Sequence, residues 1–253
     1  MSGETFEIPG NVSSQYVTGL LAALPLLPGS STLRVTGNVE SAAYIAMTEQ
    51  VLRMAGIRFE KVGWGYSISG GQMYDLPEHV EVEGDWSNAA FLLALGEGVT
   101  VTGLRAESLQ GDRVCRDMLR RLQSPGAQLD LTACPDLGPV LFAAAARAHG
   151  AVFTGTRRLR IKESDRVAAM AQELAKLGVR VDAEENRVTV HPGGIAAPRE
   201  VLDGHNDHRI VMALSVLATS VGGTIRGAEA VAKSYPDFFE VLQALGIRAE
   251  IRP

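Results

Sequence analysis

Residues 164–182 read SDRVAAMAQELAKLGVRVD, an amphipathic helical run that stops at Gly178 and gives way to alternating β-branched residues. Glycine just past a helix end, followed by period-two alternation, marks a helix that turns into a strand. Almost the same words follow two other helices, as GIRFE from Gly56 and GIRAE from Gly246. Hairpin returns follow the first two copies, WGYSISGG around Ser67 and NRVTVHPGG around Val188.

Working outward, four short strands end in a turn glycine: LRVTG at Gly37, VTVTG at Gly103, AVFTG at Gly155 and GTIRG at Gly227. Each follows an apolar, Ala/Leu-rich helix beginning near Ser13, Trp86, Asp136 or Asp207. Each precedes an amphipathic helix beginning near Tyr44, Asp112, Ser164 or Tyr235. With opening strands at TFEIPG, VEVEG, AQLDL and REVLDG, the repeat is β-α-β-α-β-β. This predicts an α/β (α+β) fold of repeated β-α-β-α-β-β units, a mixed sheet in each backed by apolar helices. The first helix of each unit is apolar nearly all round and is expected to be deeply buried. The interval from Gly103 to Gly155 is the shortest, and the turn Ser124-Pro125-Gly126 stands where a hairpin would be.

The chain has 253 residues and a formal net charge of −5, with 46% hydrophobic and 21% charged residues. That supports a sizeable core and argues against a protein that coats nucleic acid or an anionic membrane. No apolar run is long enough to span a bilayer, and the acidic start Met1-Ser2-Gly3-Glu4 lacks a signal-peptide core. Two cysteines, Cys115 and Cys134, are too few for a disulfide scaffold, so a cytoplasmic protein is expected.

Polar residues gather at the helix starts. The first-helix junctions carry Asn11-Val12-Ser13-Ser14-Gln15, Gly84-Asp85-Trp86-Ser87, Cys134-Pro135-Asp136 and Asn206-Asp207-His208-Arg209. The loops before the second helices carry Glu40-Ser41, Gln110-Gly111-Asp112-Arg113, Lys162-Glu163-Ser164-Asp165-Arg166 and Lys233-Ser234-Tyr235. Capping alone explains Ser13, Ser14, Asp85, Asp136, Ser164 and Asp207. It does not explain Arg166 and Arg209, cations in first turns where the helix dipole disfavours them. Helix N-termini with added cations suit an anionic ligand. His205 and His208 lack further ligands for zinc, and neither glycine-rich run is a phosphate loop. No metal or cofactor is expected.

Taken in order, SSQ before an apolar helix, VEGDWSNAAFLL, IKESDR, NDHRIVMA and AKSYPDFF closely resemble the 5-enolpyruvylshikimate-3-phosphate synthase family, the 3-phosphoshikimate 1-carboxyvinyltransferases. The resemblance runs across essentially the whole chain. It implies six repeat units in two lobes, each an inside-out α/β barrel, with the active site in the cleft between them. Four of the six are present here: residues 1–78 as the last unit of an incomplete first lobe, and 79–253 as a second lobe of three units. It implies transfer of the enolpyruvyl group of phosphoenolpyruvate to the 5-hydroxyl of shikimate 3-phosphate, without a cofactor.

By the same resemblance Ser13, Ser14, Ser41 and Lys162 hold the 3-phosphate, while Gln15 and Tyr44 line the shikimate pocket. Asp136 takes the 5-hydroxyl proton. Glu163 and Lys233 move protons to and from phosphoenolpyruvate. Arg166, Arg209 and Lys233 surround its carboxylate and phosphate, with His208 beside them as a further candidate. The family's Lys-Ser motif, one of its arginines and a glycine-rich loop have no counterpart in these 253 residues, and Arg158 stands where the family has asparagine. A shortened chain with little activity of its own is therefore expected, prone to self-association or to pairing with a separate N-terminal half. The alternatives are an enolpyruvyltransferase acting on UDP-N-acetylglucosamine, and a non-catalytic module that holds an anion.

Overall fold

The computed structural model describes residues 4–39 and 42–252. The chain divides into two compact units, Met1–Glu83 with Arg105–Gly111, and Gly84–Leu104 with Asp112–Pro253. The first unit therefore runs to residue 83 rather than 78 and takes back 105–111. Ser108 Oγ donates to Glu83 Oε1 at 2.7 Å, and Arg105 pairs with Glu81 at 2.9 Å, which ties these segments together.

In the first unit the order is β1 (Glu4–Pro9), α1 (Ser14–Ala23), β2 (Ser31–Thr36), α2 (Ala42–Met54), β3 (Phe59–Val62) and β4 (Gly65–Ile68). The four strands form one sheet in the order β1-β2-β4-β3, with β1 parallel to β2 and β4 antiparallel to both neighbours. Val17, Leu21, Leu24, Leu33, Ile45, Leu52, Tyr66 and Ile68 form the core. Glu49 of α2 is buried with them and accepts from Tyr66 Oη at 2.6 Å and Lys61 Nζ at 2.7 Å, which pins the hairpin to the helix.

In the second unit the regular elements are α3 (Trp86–Leu93), α4 (Cys115–Arg121), β5 (Gln128–Asp130), α5 (Gly138–Arg147), β6 (Ala151–Thr154), α6 (Arg166–Lys176), β7 (Val181–Ala183), β8 (Arg187–Val190), β9 (Leu202–Asp203), α7 (His208–Val221), β10 (Ile225–Arg226) and α8 (Phe238–Ala244). The sheet order β5-β6-β8-β7 repeats the first unit's pattern strand for strand, including the parallel pair followed by the antiparallel hairpin. The four turn glycines of the repeat, Gly37, Gly103, Gly155 and Gly227, all adopt φ between 71° and 79°, which glycine takes without steric cost.

Three sequence expectations are corrected. VEVEG and VTVTG form no strands among the described residues; Gly84 N donates to Gly103 O at 2.9 Å. Alternating valines do not make a strand without a ladder to join, and Val82 is 86% exposed. GIRAE is likewise not a strand, and β9 and β10 stand as an isolated parallel pair.

Burial of the first helices is uneven. Helix α5 is buried from Gly138 through Ala146, and α7 from Ile210 through Leu217. Phe142 packs edge-on to Phe153 of β6 with centroids 4.8 Å apart. Helix α1, in contrast, buries only Ser14, Val17 and Leu21. In the turn that extends it Leu24 is buried, but Leu26 is 53% exposed and Leu27 42%. Four short strands and one partner helix supply too little surface for an all-round apolar helix.

Candidate functional site

In the second unit the starts of four helices converge, because their first-turn side chains touch one another. Asp85 caps α3 by accepting from the backbone N–H groups of Ser87 and Asn88, and Asp207 caps α7 by accepting from Arg209 N. Helix α6 is capped by Asp165, which accepts from Val167 N and Ala168 N, and not by the expected Ser164. Asp136 sits in the short 3-10 turn Pro135–Leu137 ahead of α5, and its carboxylate meets the cations of neighbouring helices.

Arg166 is the centre of this cluster, with its side chain fully buried. Its Nε donates to Asp207 Oδ2 at 2.8 Å, Nη1 to Asp136 Oδ1 at 2.9 Å, and Nη2 to Glu163 Oε2 at 2.6 Å and Asp207 Oδ1 at 3.3 Å. A guanidinium taken out of water at a helix N-terminus is costly, so it persists only when its fork is satisfied by anions on several sides. Ser164 adds a bond from Oγ to Asp207 Oδ2 at 3.0 Å.

Asp136 meets two further cations, Lys162 Nζ at 3.3 Å and Arg209 Nη2 at 3.3 Å. Burial pushes its carboxyl pKa up, but the charges of Arg209, Lys162 and Arg166, with the Arg166 hydrogen bond, outweigh burial and hold it well below the usual carboxylate range. Arg209 also donates through Nη1 to Ser87 Oγ at 2.7 Å, and that hydroxyl donates to Asp112 Oδ2 at 2.7 Å. Ser87 and Asp112 are functional neighbours that sequence reasoning misses: they lie in the polar stretches at helix starts, but nothing in either residue type marks it as a partner of Arg209.

Lys233 donates from Nζ to the backbone and side-chain oxygens of Asn206, the residue before Asp207. His208 is buried beside Asp207, its Nδ1 3.9 Å from Asp207 Oδ1 and without a hydrogen-bond partner among the described residues. Burial, then the charge of Arg209, lowers its pKa, so the ring is neutral at pH 7. Among the described residues no cluster of His, Cys, Asp and Glu could hold a metal ion.

The structure thus brings together Asp136, Lys162, Glu163, Arg166, His208 and Arg209, with Lys233 on the adjoining turn. The remaining candidates lie in the first unit. Ser13 caps α1 by accepting from Gln15 N at 3.3 Å, Ser14 is buried, Gln15 is exposed, and Tyr44 is half-buried on α2. Ser41 and its neighbour Glu40 lie outside the described residues.

A pH dependence follows. Burial opposes the ionised form of Asp207 too, but the hydrogen bond and charge of Arg166 outweigh it and lower its pKa. Asp136 and Asp207 therefore bind their protons less tightly folded than unfolded. Their ionised forms stabilise the fold above the ordinary aspartate value of about 3.9, and that contribution is lost as the pH falls through and below it. Urea denaturation is expected to show stability falling from about pH 5 downward. Asp136→Asn is expected to be less stable at pH 7 and to lose less on acidification. An equally steep acid limb in that variant would contradict this electrostatic assignment.

A protein-family model described as EPSP synthase (3-phosphoshikimate 1-carboxyvinyltransferase) matches residues 1–242. A 3-phosphoshikimate 1-carboxyvinyltransferase of Clostridium acetobutylicum is 39% identical over 95% of this chain, and that of Halobacterium salinarum 36% over 97%. The chain spans 61% and 64% of the lengths of those two relatives. Among solved structures, EPSP synthase of Acinetobacter baumannii matches all of the chain and 64% of its own, with a TM-score of 0.82 at 23% identity. The enolpyruvyl transferase NikO of Streptomyces tendae matches all of the chain with a TM-score of 0.71 at 18% identity. Both structures share this chain's fold.

Proposed function

The chain belongs to the EPSP synthase family, and from that premise we propose that it carries the proton-accepting and phosphoenolpyruvate-holding part of an enolpyruvyl transfer site. The acceptor is shikimate 3-phosphate, and the products are its 5-enolpyruvyl ether and inorganic phosphate. The Asp136 carboxylate, kept ionised among Lys162, Arg166 and Arg209, is the observation that carries the proposal. The first unit belongs, on this account, to one lobe and the second unit to the other. A cytoplasmic setting is part of this proposal. Separately, no helix among the described residues is long and apolar enough to cross a membrane.

Chemically, the acceptor hydroxyl must lose a proton as its oxygen bonds to C2 of phosphoenolpyruvate, while C3 gains one. Phosphate then leaves as C3 gives a proton back. Asp136 is assigned the hydroxyl proton, and Glu163 and Lys233 the exchange at C3 and the bridging oxygen. A carboxylate held so far below neutrality is a weak base. An arriving phosphate and carboxylate would share Lys162 and Arg209 and relax their grip on Asp136, raising its basicity only when the site is full. Arg166, fully buried with its fork taken by Asp207, Asp136 and Glu163, stays behind it. Arg209 and Lys233 suit the anionic groups of phosphoenolpyruvate, since each reaches the site from a helix start or turn. Ser13, Ser14, Gln15, Ser41, Tyr44 and Lys162 are assigned to shikimate 3-phosphate.

Calorimetric titration with shikimate 3-phosphate tests this assignment. Weak saturable binding is expected, and Ser14→Ala should weaken it; identical isotherms would remove the first unit's hydroxyls from the site. A second reading, an anion-holding module without turnover, is favoured by the grip of Lys162, Arg166 and Arg209 on Asp136, which leaves that carboxylate a weak base. A steady-state phosphate-release assay with both substrates separates the two. For these 253 residues alone, turnover far below the roughly 1–1,000 per second of ordinary enzymes is expected.

A further inference from the structure

We propose that Glu173 is a positioning residue of this site: through His205 it holds the strained turn that carries Asn206, and with it Lys233. The inference rests on the assignment of Lys233 to phosphoenolpyruvate.

Among the described residues, His205 and Asn206 are the two non-glycine positions with positive φ, at 50° and 52°, and they are consecutive. Such conformations persist only where the surroundings over-determine them. Here the surroundings do so on every side. Asp203 Oδ1 accepts from His205 N at 2.8 Å, Gly204 N donates to Arg226 O at 2.8 Å, and Asp207 N donates to Gly204 O at 2.9 Å. A Cβ on Gly204 would lie 2.5 Å from Val211 Cγ2, so the turn is pressed against α7 where only glycine fits.

Glu173 closes the arrangement from α6. Its side chain is fully buried on the same helix face as Met170 and Leu174, where an apolar residue would be easier to bury. Oε1 accepts from His205 Nε2 at 2.9 Å, and Oε2 accepts from Asp203 N at 2.9 Å, which fixes both ends of the turn. Lys176 Nζ donates to both oxygens at 3.0 and 2.8 Å and satisfies the charge. The result of holding the turn is that Asn206 offers two oxygens to Lys233 Nζ, while the next residue, Asp207, reaches Arg166. Among the described residues Glu173 bonds to Lys176, Asp203 N and His205 and not to Lys233 or Arg166, so it acts through the turn.

The test is amine-selective acetylation of the intact chain, read lysine by lysine by mass spectrometry, with Lys61 of the first unit as internal reference. In Glu173→Gln and His205→Ala, Lys233 should react about tenfold or more faster, as expected when a charged hydrogen bond is lost. His205→Gln, whose amide can still donate to Glu173, should restore the slow rate. Unchanged Lys233 reactivity in the folded variants, an equal rise at Lys61, or no rescue by His205→Gln would overturn the proposal. If Glu173→Gln fails to fold, the two His205 variants decide, since that side chain is partly exposed. Phosphoenolpyruvate affinity is measured in parallel. Lys233 responding as expected in a chain that binds no phosphoenolpyruvate would contradict the functional assignment and leave the positioning role standing.

Discussion

Asp207→Ala is expected to destabilise the second unit by about 3–5 kcal/mol, the cost typical of breaking a buried ion pair. Arg166 and Asp207 both have fully buried side chains and meet through two bonds, so the variant strands a guanidinium that water cannot reach. Asp136 and Glu163 still compensate part of that charge. Loss of the α7 cap adds to the effect, by about 1 kcal/mol. The double variant Asp207→Ala/Arg166→Met should recover part of the loss, because it removes the stranded charge as well. Urea denaturation of the four members of the cycle measures this. A single-variant loss below about 1 kcal/mol would show that the pair is not the desolvated unit described here.

Arg209→Ala is expected to weaken phosphoenolpyruvate binding by about 10- to 150-fold, the equivalent of one charged hydrogen bond of about 1.5–3 kcal/mol. Arg209 is held from behind by Ser87 and from the side by Asp136, so its fork enters the site already oriented. Ser87→Ala should give a smaller loss, because the guanidinium remains but loses that hold. Arg120→Ala is the control. It removes an exposed cation whose partner Asp117 lies on the same helix surface, and it should change affinity little. Equal losses in Arg209→Ala and Arg120→Ala would reduce the effect to net charge.

The helices and the two complete hairpin units were legible in the sequence because their periods are local. GIRFE and GVRVD announce the same β3-β4 and β7-β8 hairpins, which the structure repeats strand for strand. Local pattern failed where a partner had to be supplied by distant chain. The valines of VEVEG and VTVTG alternate correctly but find no ladder, and GIRAE has the same words without the hairpin that follows its siblings.

At the site, the misplaced cations Arg166 and Arg209 were a sound signal, because a first-turn arginine needs an anion to justify it. What they bind was not legible. Asp207 lies 41 residues from Arg166, and it read equally well as a cap, which it also is. Ser164 and Asp165 are both good capping residues, and only the backbone geometry chose the aspartate. Glu173 and Lys176 look like an ordinary i,i+3 surface pair. The strand turn at 203–206 is what buries the glutamate, and nothing near it in the sequence signals that.

The most direct test of the site is a phosphorus NMR titration of the 253-residue chain with shikimate 3-phosphate and phosphoenolpyruvate together, since each ligand reports by its own resonance. Both signals should shift or broaden saturably. Lys162→Ala should diminish the response of shikimate 3-phosphate, and Arg209→Ala that of phosphoenolpyruvate. Asp136→Asn should leave both, since it removes a negative charge from between the cations. Resonances that stay fixed at millimolar protein, or that respond alike in wild type, Lys162→Ala and Arg209→Ala, would contradict the assignment of this cluster as the anion-holding centre.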